Sequence, residues 1–326
     1  MPATAGATTF GAEVTSDFIN QARGVWSPAR VVNNLSALHA AGGRVGRADS
    51  AWARTEPKAP VRGRHRFAWG YDDMIVSEMA SANLRWEPTL AFAPRWAEGH
   101  RSNVIHTSTG RWTAFLPPAS NATFAVYATA FMQRYGPHGA FWRANRKLPY
   151  LPVTTVEVWN EPDNLFDWGQ HISLSAYARM YEAVRSAIHR VDHGARVLTG
   201  GLAWTESSLP RLLKAFWGLP MDALAIHPYG ATPGQSVRVA RDALAIMRRY
   251  GRGGTPVSAN EYGWTWIRHT WGSTSRRHLK AYVYQALIGL ARLRLSEIEP
   301  FSWSYPSWGL STGAFAAAVR KINHHR

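Results

Sequence analysis

Short apolar runs alternate along the whole chain with longer stretches in which apolar residues recur every three to four positions. The short runs have the length of buried strands, and the longer ones the period of amphipathic helices. This rhythm predicts eight strands, at residues 8–14, 44–49, 84–92, 154–160, 196–201, 222–227, 256–261 and 297–303. Helical stretches such as SAYARMYEAVRSAIHRV (175–191) and SVRVARDALAIMRRY (236–250) lie between them. Repeated βα units build a parallel sheet, and eight of them close a (β/α)8 TIM barrel, the α/β fold expected here. No Pro/Gly/Ser-rich linker or shift of composition divides the chain, so residues 1–326 are expected to form one barrel domain. The longest connections span 95–119 and 136–152. Loops that follow barrel strands lie on the catalytic face, so 95–119 is expected to shape a substrate cleft.

Composition narrows the function. A hydrophobic fraction of 46% against 18% charged residues supports a large core and excludes a disordered chain. Cysteine is absent, which excludes disulfide scaffolds, thiol nucleophiles and thiolate metal sites. There is no HExxH pattern, so neither a metal nor another cofactor is expected. No apolar run approaches the roughly 18 residues of a membrane span, and no membrane partner is expected. A strand that begins within the first dozen residues suits a chain whose leader is absent, hence a secreted or extracytoplasmic protein, with a cytoplasmic one as the alternative. The formal charge of +16 comes from arginine, since the only lysines are Lys58, Lys147, Lys214, Lys280 and Lys321. These cations are dispersed and form no basic run, so no nucleic-acid partner is expected.

Glu-Pro occurs at Glu56, Glu87, Glu161 and Glu299, and context separates the four. Only Glu161 follows Trp-Asn at the end of an apolar strand, in TTVEVWNEPDN, where its carboxyl reaches the C-terminal rim of the barrel. In PVSANEYGW, Glu261 occupies the rim end of the seventh predicted strand. Two rim carboxyls suit glycoside hydrolysis, in which one protonates the leaving oxygen while the other attacks or activates water. A separation of about 5 to 5.5 Å gives retention of configuration, and about 6.5 to 9.5 Å gives inversion.

WNEP on the fourth strand with NEYGW on the seventh resembles clan A of the glycoside hydrolases, and within it family 39 and the family 5 cellulase-like barrels. The resemblance runs from about Phe10 to Trp303. It implies a retaining glycosidase acting on an oligo- or polysaccharide by double displacement, with Glu161 as acid/base and Glu261 as nucleophile. It further implies that Arg47, in RVGRADSAW, lies near the nucleophile, and that His227 and Tyr229, in AIHPYG, contact the sugar and the nucleophile. Asn160 matches the residue that bonds the sugar 2-hydroxyl, and Trp303, in FSW, the tryptophan under the substrate. One departure stands at the second strand, where family 39 xylosidases carry a histidine and this chain has Asp49-Ser50-Ala51-Trp52.

The residues support these roles independently. Period-two alternation puts Arg47 and Asp49 on one face of their strand, and likewise His227 with Tyr229, and Ala259 with Glu261. A cation and a phenol beside Glu261 would keep it ionised. Strict alternation would point Asn160 and Glu161 opposite ways, so a bulge or sharp twist is expected there. Glu157 reads as a hydrogen-bonded carboxyl beneath the site, and Glu87 and Glu299 read as structural. Sixteen tryptophans suit sugar stacking; Trp303 and then Trp264 are the ones expected to serve it. A carbohydrate-binding barrel without turnover is the alternative reading.

Overall fold

The computed structural model describes residues 7–99, 101–267, 273–304, 308 and 312–324. Eight parallel strands are β1 (Thr9–Glu13), β2 (Val45–Ala51), β3 (Arg85–Ala91), β6 (Thr155–Val158), β7 (Arg196–Thr199), β8 (Leu224–Ile226), β9 (Val257–Ala259) and β10 (Glu297–Ile298). They run in the order β7-β6-β3-β2-β1-β10-β9-β8, and single parallel bridges, Leu198 to Ala223 and Leu202 to Ile226, join β7 to β8. The sheet thereby closes into a (β/α)8 TIM barrel.

Helices form the outer layer: α1 (Thr15–Ala22), α2 (Pro28–Ala40), α4 (Gly70–Ser81), α5 (Asn121–Tyr135), α8 (Leu174–Val191), α9 (Thr205–Ala215), α10 (Pro233–Arg249), α11 (Arg276–Ala291) and α12 (Thr312–His324). Their starts are written in the sequence. Ser27, Ser120, Ser173 and Ser275 each accept a backbone N–H of the helix they open, and Thr232 with Gln235 forms a capping box on α10. Among the described residues no helix is long and apolar enough to cross a membrane.

The core lies mainly between sheet and helices, where Trp52, Trp86, Trp159 and Trp264 are fully enclosed with Phe and Tyr rings. Much of the tryptophan content is therefore packing. Leu198, Ala223 and Ala225 form a separate small apolar cluster, as expected for side chains that alternate into the barrel.

Several strands end earlier than their apolar runs suggest. β6 stops at Val158 because the backbone turns at Trp159 and Glu161, both with positive φ (71° and 39°). β10 stops at Ile298, two residues before Pro300, which has no N–H to give a ladder. Connection 95–119 carries an antiparallel hairpin, β4 (Val104–Thr107) and β5 (Gly110–Thr113), that strand periodicity did not reveal. Three short helices complete the fold: α3 (Trp52–Thr55), α6 (Ala140–Ala144) within connection 136–152, and α7 (Leu165–Trp168) after the fourth barrel strand.

Trp86 on β3 ties sheet to helix layer: its indole N–H donates to Ala48 O at 2.9 Å, and its ring meets Phe131 and Tyr135 of α5 edge-on at 5.3 and 5.8 Å. Trp86→Ala is expected to lower unfolding free energy by about 3–5 kcal/mol, read from urea denaturation midpoints; a loss below 1 kcal/mol would contradict this packing.

Candidate active site

The site is assembled at the C-terminal ends of the strands. Arg47 points inward from the middle of β2 and is buried. Its guanidinium makes three bonds: Nε to Glu157 Oε2 at 2.7 Å, Nη1 to Glu261 Oε2 at 3.0 Å, and Nη2 to Asn160 Oδ1 at 2.9 Å. Glu157, beneath the site on β6, also accepts Thr89 Oγ1 at 2.7 Å and the Gly201 N–H at 2.8 Å. Burial alone would raise the Glu157 pKa, but the charge and hydrogen bond of Arg47 outweigh it and the carboxyl is held below its ordinary value.

Glu261 stands just past the end of β9, its second oxygen accepting the Tyr229 hydroxyl at 2.6 Å. Tyr229 and His227 follow β8, one residue apart on one face. His227 Nδ1 lies 2.9 Å from Glu161 Oε1, while Nε2 faces Glu261 Oε2 at 3.8 Å. Burial pulls the His227 pKa down, yet the charges of Glu261 and Glu161 prevail and leave it above its ordinary value. The imidazole thus stands between the two carboxyls.

Glu161 is presented by the turn at the end of β6. The positive φ values on either side of Asn160 supply the sharp local twist that lets Asn160 and Glu161 face one site. Gly200 permits that turn, since a Cβ there would sit 2.6 Å from Trp159 O. Gly201 is required similarly, because its Cβ would fall 2.0 Å from His227 Nε2. Asn164, the cap of α7, donates to Glu161 Oε2 at 2.6 Å. Asp167 on α7 is bonded by the Asn160 side chain; burial and then the nearby Glu161 charge push its carboxyl well above the usual range.

A cavity of about 250 Å³ opens between the carboxyls, lined by Glu161, Asn164, Ala203, Trp204, Tyr229, Glu261 and Trp308. The structure thus gathers Arg47, Asn160, Glu161, His227, Tyr229 and Glu261 around one centre. It does not bring Trp264 or Trp303 there. Both indoles are buried and their N–H groups are spent on Gly230 O and Asn34 O, at 2.8 and 2.9 Å. Among the described residues the tryptophans that line the pocket are Trp204 and Trp308, whose sequence setting does not set them apart from the other tryptophans. Asn164 and Asp167 escaped it; their signal was the Asp-Asn at the start of a short helix beside WNEP. A second recess, of about 270 Å³, has Thr9, Arg85, Glu87, Thr154 and Glu297 in its wall, near strand starts, and holds neither Glu161 nor Glu261.

Glu161, His227 and Glu261 each offer one atom within 4.8 Å of the others and could in principle hold a metal ion. Arg47 donates to Glu261 and His227 pairs with Glu161, so the arrangement suits proton transfer and nucleophilic attack.

No protein-family model matches the chain, and no curated protein matches it. Solved structures do. A glucosidase from Croceicoccus marinus aligns over 90% of this chain at 14% identity and TM-score 0.64; the chain spans 63% of that enzyme's length. A GH39 enzyme from Xanthomonas axonopodis pv. citri aligns over 98% of this chain and 68% of its own, at 16% identity and TM-score 0.68. An endo-1,4-beta-mannanase from Rhizomucor miehei aligns over 98% and 94%, at 14% identity and TM-score 0.65. The chain shares its barrel fold with these structures.

Carboxyls buried near Arg47 exceed the cations available. Burial raises Glu13 to about 7 and Asp49 to about 6. Unfolded, a glutamate releases its proton near 4.5; the folded chain holds that of Glu13 up to about 7. Between those values the native state binds more protons, so stability declines as pH rises. In Glu13→Gln that decline becomes shallower, as denaturation midpoints between pH 4.5 and 7.5 will show; an unchanged slope would contradict the assignment.

Proposed function

We propose that the chain is a retaining glycoside hydrolase that cleaves glycosidic bonds of an oligo- or polysaccharide by double displacement. The observation that carries this reading is the pair of carboxylates, Glu161 and Glu261, whose nearest oxygens lie within 4.8 Å across one cavity. That spacing favours the roughly 5 to 5.5 Å geometry of retaining enzymes over the roughly 6.5 to 9.5 Å of inverting ones.

The surroundings give the two carboxyls different duties. Arg47 and Tyr229 each donate to one oxygen of Glu261, which orients an ionised nucleophile. In the first step Glu161 passes its proton to the leaving oxygen as Glu261 attacks the anomeric carbon, and a glycosyl ester replaces the glycosidic bond. In the second step ionised Glu161 takes a proton from water as its oxygen attacks the same carbon and releases Glu261. His227 holds the Glu161 side chain through both changes of charge. Asn160, fixed by Arg47, stands ready for the sugar 2-hydroxyl.

Trapping with a 2-fluoro glycoside and peptide mass spectrometry is expected to label Glu261; a label on any other residue rejects the assignment. Glu161→Ala is expected to lose about 10²–10⁴-fold activity on natural linkages. With an activated aryl glycoside, azide restores part of its rate by attacking the glycosyl ester in place of water without needing a base, which releases Glu261 and gives a glycosyl azide of retained configuration. Absence of rescue would remove Glu161 from acid/base duty.

A further inference from the structure

Exposed aromatic rings occur on the cavity wall and on loops bonded to the segment that carries Glu161. Six aromatic side chains among the described residues are largely exposed: Trp112, Phe115, Tyr150, Phe166, Trp204 and Trp217. Four of them are tied to the loops around Glu161. Trp204, 60% exposed, lines the cavity itself. Its backbone N–H and that of Ala203 are held at 2.9 Å each by the buried carboxylate of Asp163, two residues from Glu161. Phe166 (41% exposed) lies on α7, whose cap Asn164 bonds Glu161.

Trp112 (48%) and Phe115 (50%) come from the β4–β5 hairpin and the residues after it. Phe115 N–H donates to Phe166 O at 2.8 Å, and the Trp112 ring stands edge-on to Phe166 at 6.2 Å. His106 N–H reaches Gln170 Oε1 at 3.3 Å, and Phe115 packs on Phe92 at 4.3 Å between centroids. A two-stranded hairpin is marginal by itself. Here buried Ile105 and the bonds to the α7 segment anchor it, and the anchoring keeps apolar rings in water at a cost in free energy.

We propose that these rings are a binding surface for the leaving-group portion of a polysaccharide, so that the cleft continues from Trp204 past Asn164 onto Phe166, Trp112 and Phe115. The inference rests on the glycosidase reading for its direction: Glu161 protonates the leaving oxygen, and the rings lie on the Glu161 segment itself (Phe166) or on loops hydrogen-bonded to it (Trp112, Phe115 and Trp204). Exposed aromatic patches mark binding sites, and aromatic faces suit the C–H faces of sugar rings. Continuity with the catalytic cavity commits the surface to a glycan chain.

The test is affinity electrophoresis of the Glu261→Gln protein, which binds without consuming, in gels containing laminarin, glucomannan or arabinoxylan. At least one of these is expected to retard it. Adding Trp112→Ala and Phe166→Ala should weaken that retardation about tenfold, while adding Trp217→Ala, on an exposed ring after α9, should leave it intact. Retardation by none of the three, or equal retardation of the Trp112/Phe166 variant, overturns the surface even where Glu261 is labelled. Retardation that depends on these rings, in a protein whose Glu261 is never labelled, leaves the surface standing and removes the glycosidase.

Discussion

The guanidinium of Arg47 is the interaction around which the site is built. One planar group, buried in the barrel, reaches Glu157 on β6, Asn160 at the turn that ends β6, and Glu261 at the end of β9. Arginine suits this task because its donors lie in a fixed fork, so binding one partner fixes the direction of the others. Glu157 makes the burial of that cation tolerable, and Thr89 with the Gly201 N–H satisfies the remaining acceptor sites of Glu157. The strand ends that carry the two rim glutamates are thereby cross-linked through one side chain.

Charge balance follows from that arrangement. Arg47 and His227 compensate part of an acidic interior, and burial keeps other carboxyls protonated at higher pH than usual. Glu87 and Glu299 are raised well above the ordinary carboxyl value, by burial first and by neighbouring glutamates next.

The barrel was legible because periodicity is a property of every strand and helix at once, so errors at strand ends did not disturb the eight-unit rhythm. Arg47, His227, Tyr229 and Glu261 were legible through the phrases RVGRADSAW, AIHPYG and NEYGW that carry the resemblance, and alternation added that each can face inward. The tryptophans were not. An indole has the same local pattern whether it fills the core, as Trp264 and Trp303 do, or lines a cavity, as Trp204 does; only tertiary packing decides. The β4–β5 hairpin was hidden because its outer strand is wholly exposed and its inner strand buries only Ile105, which leaves no alternation to read.

The proposed double displacement depends on Glu261 being oriented by Arg47 and Tyr229, close enough to Glu161 that no water fits between nucleophile and sugar. The stereochemical course of hydrolysis tests this most directly. Proton NMR of the first-formed product is predicted to show the anomer of the substrate, which only later equilibrates. Initial appearance of the opposite anomer would contradict it.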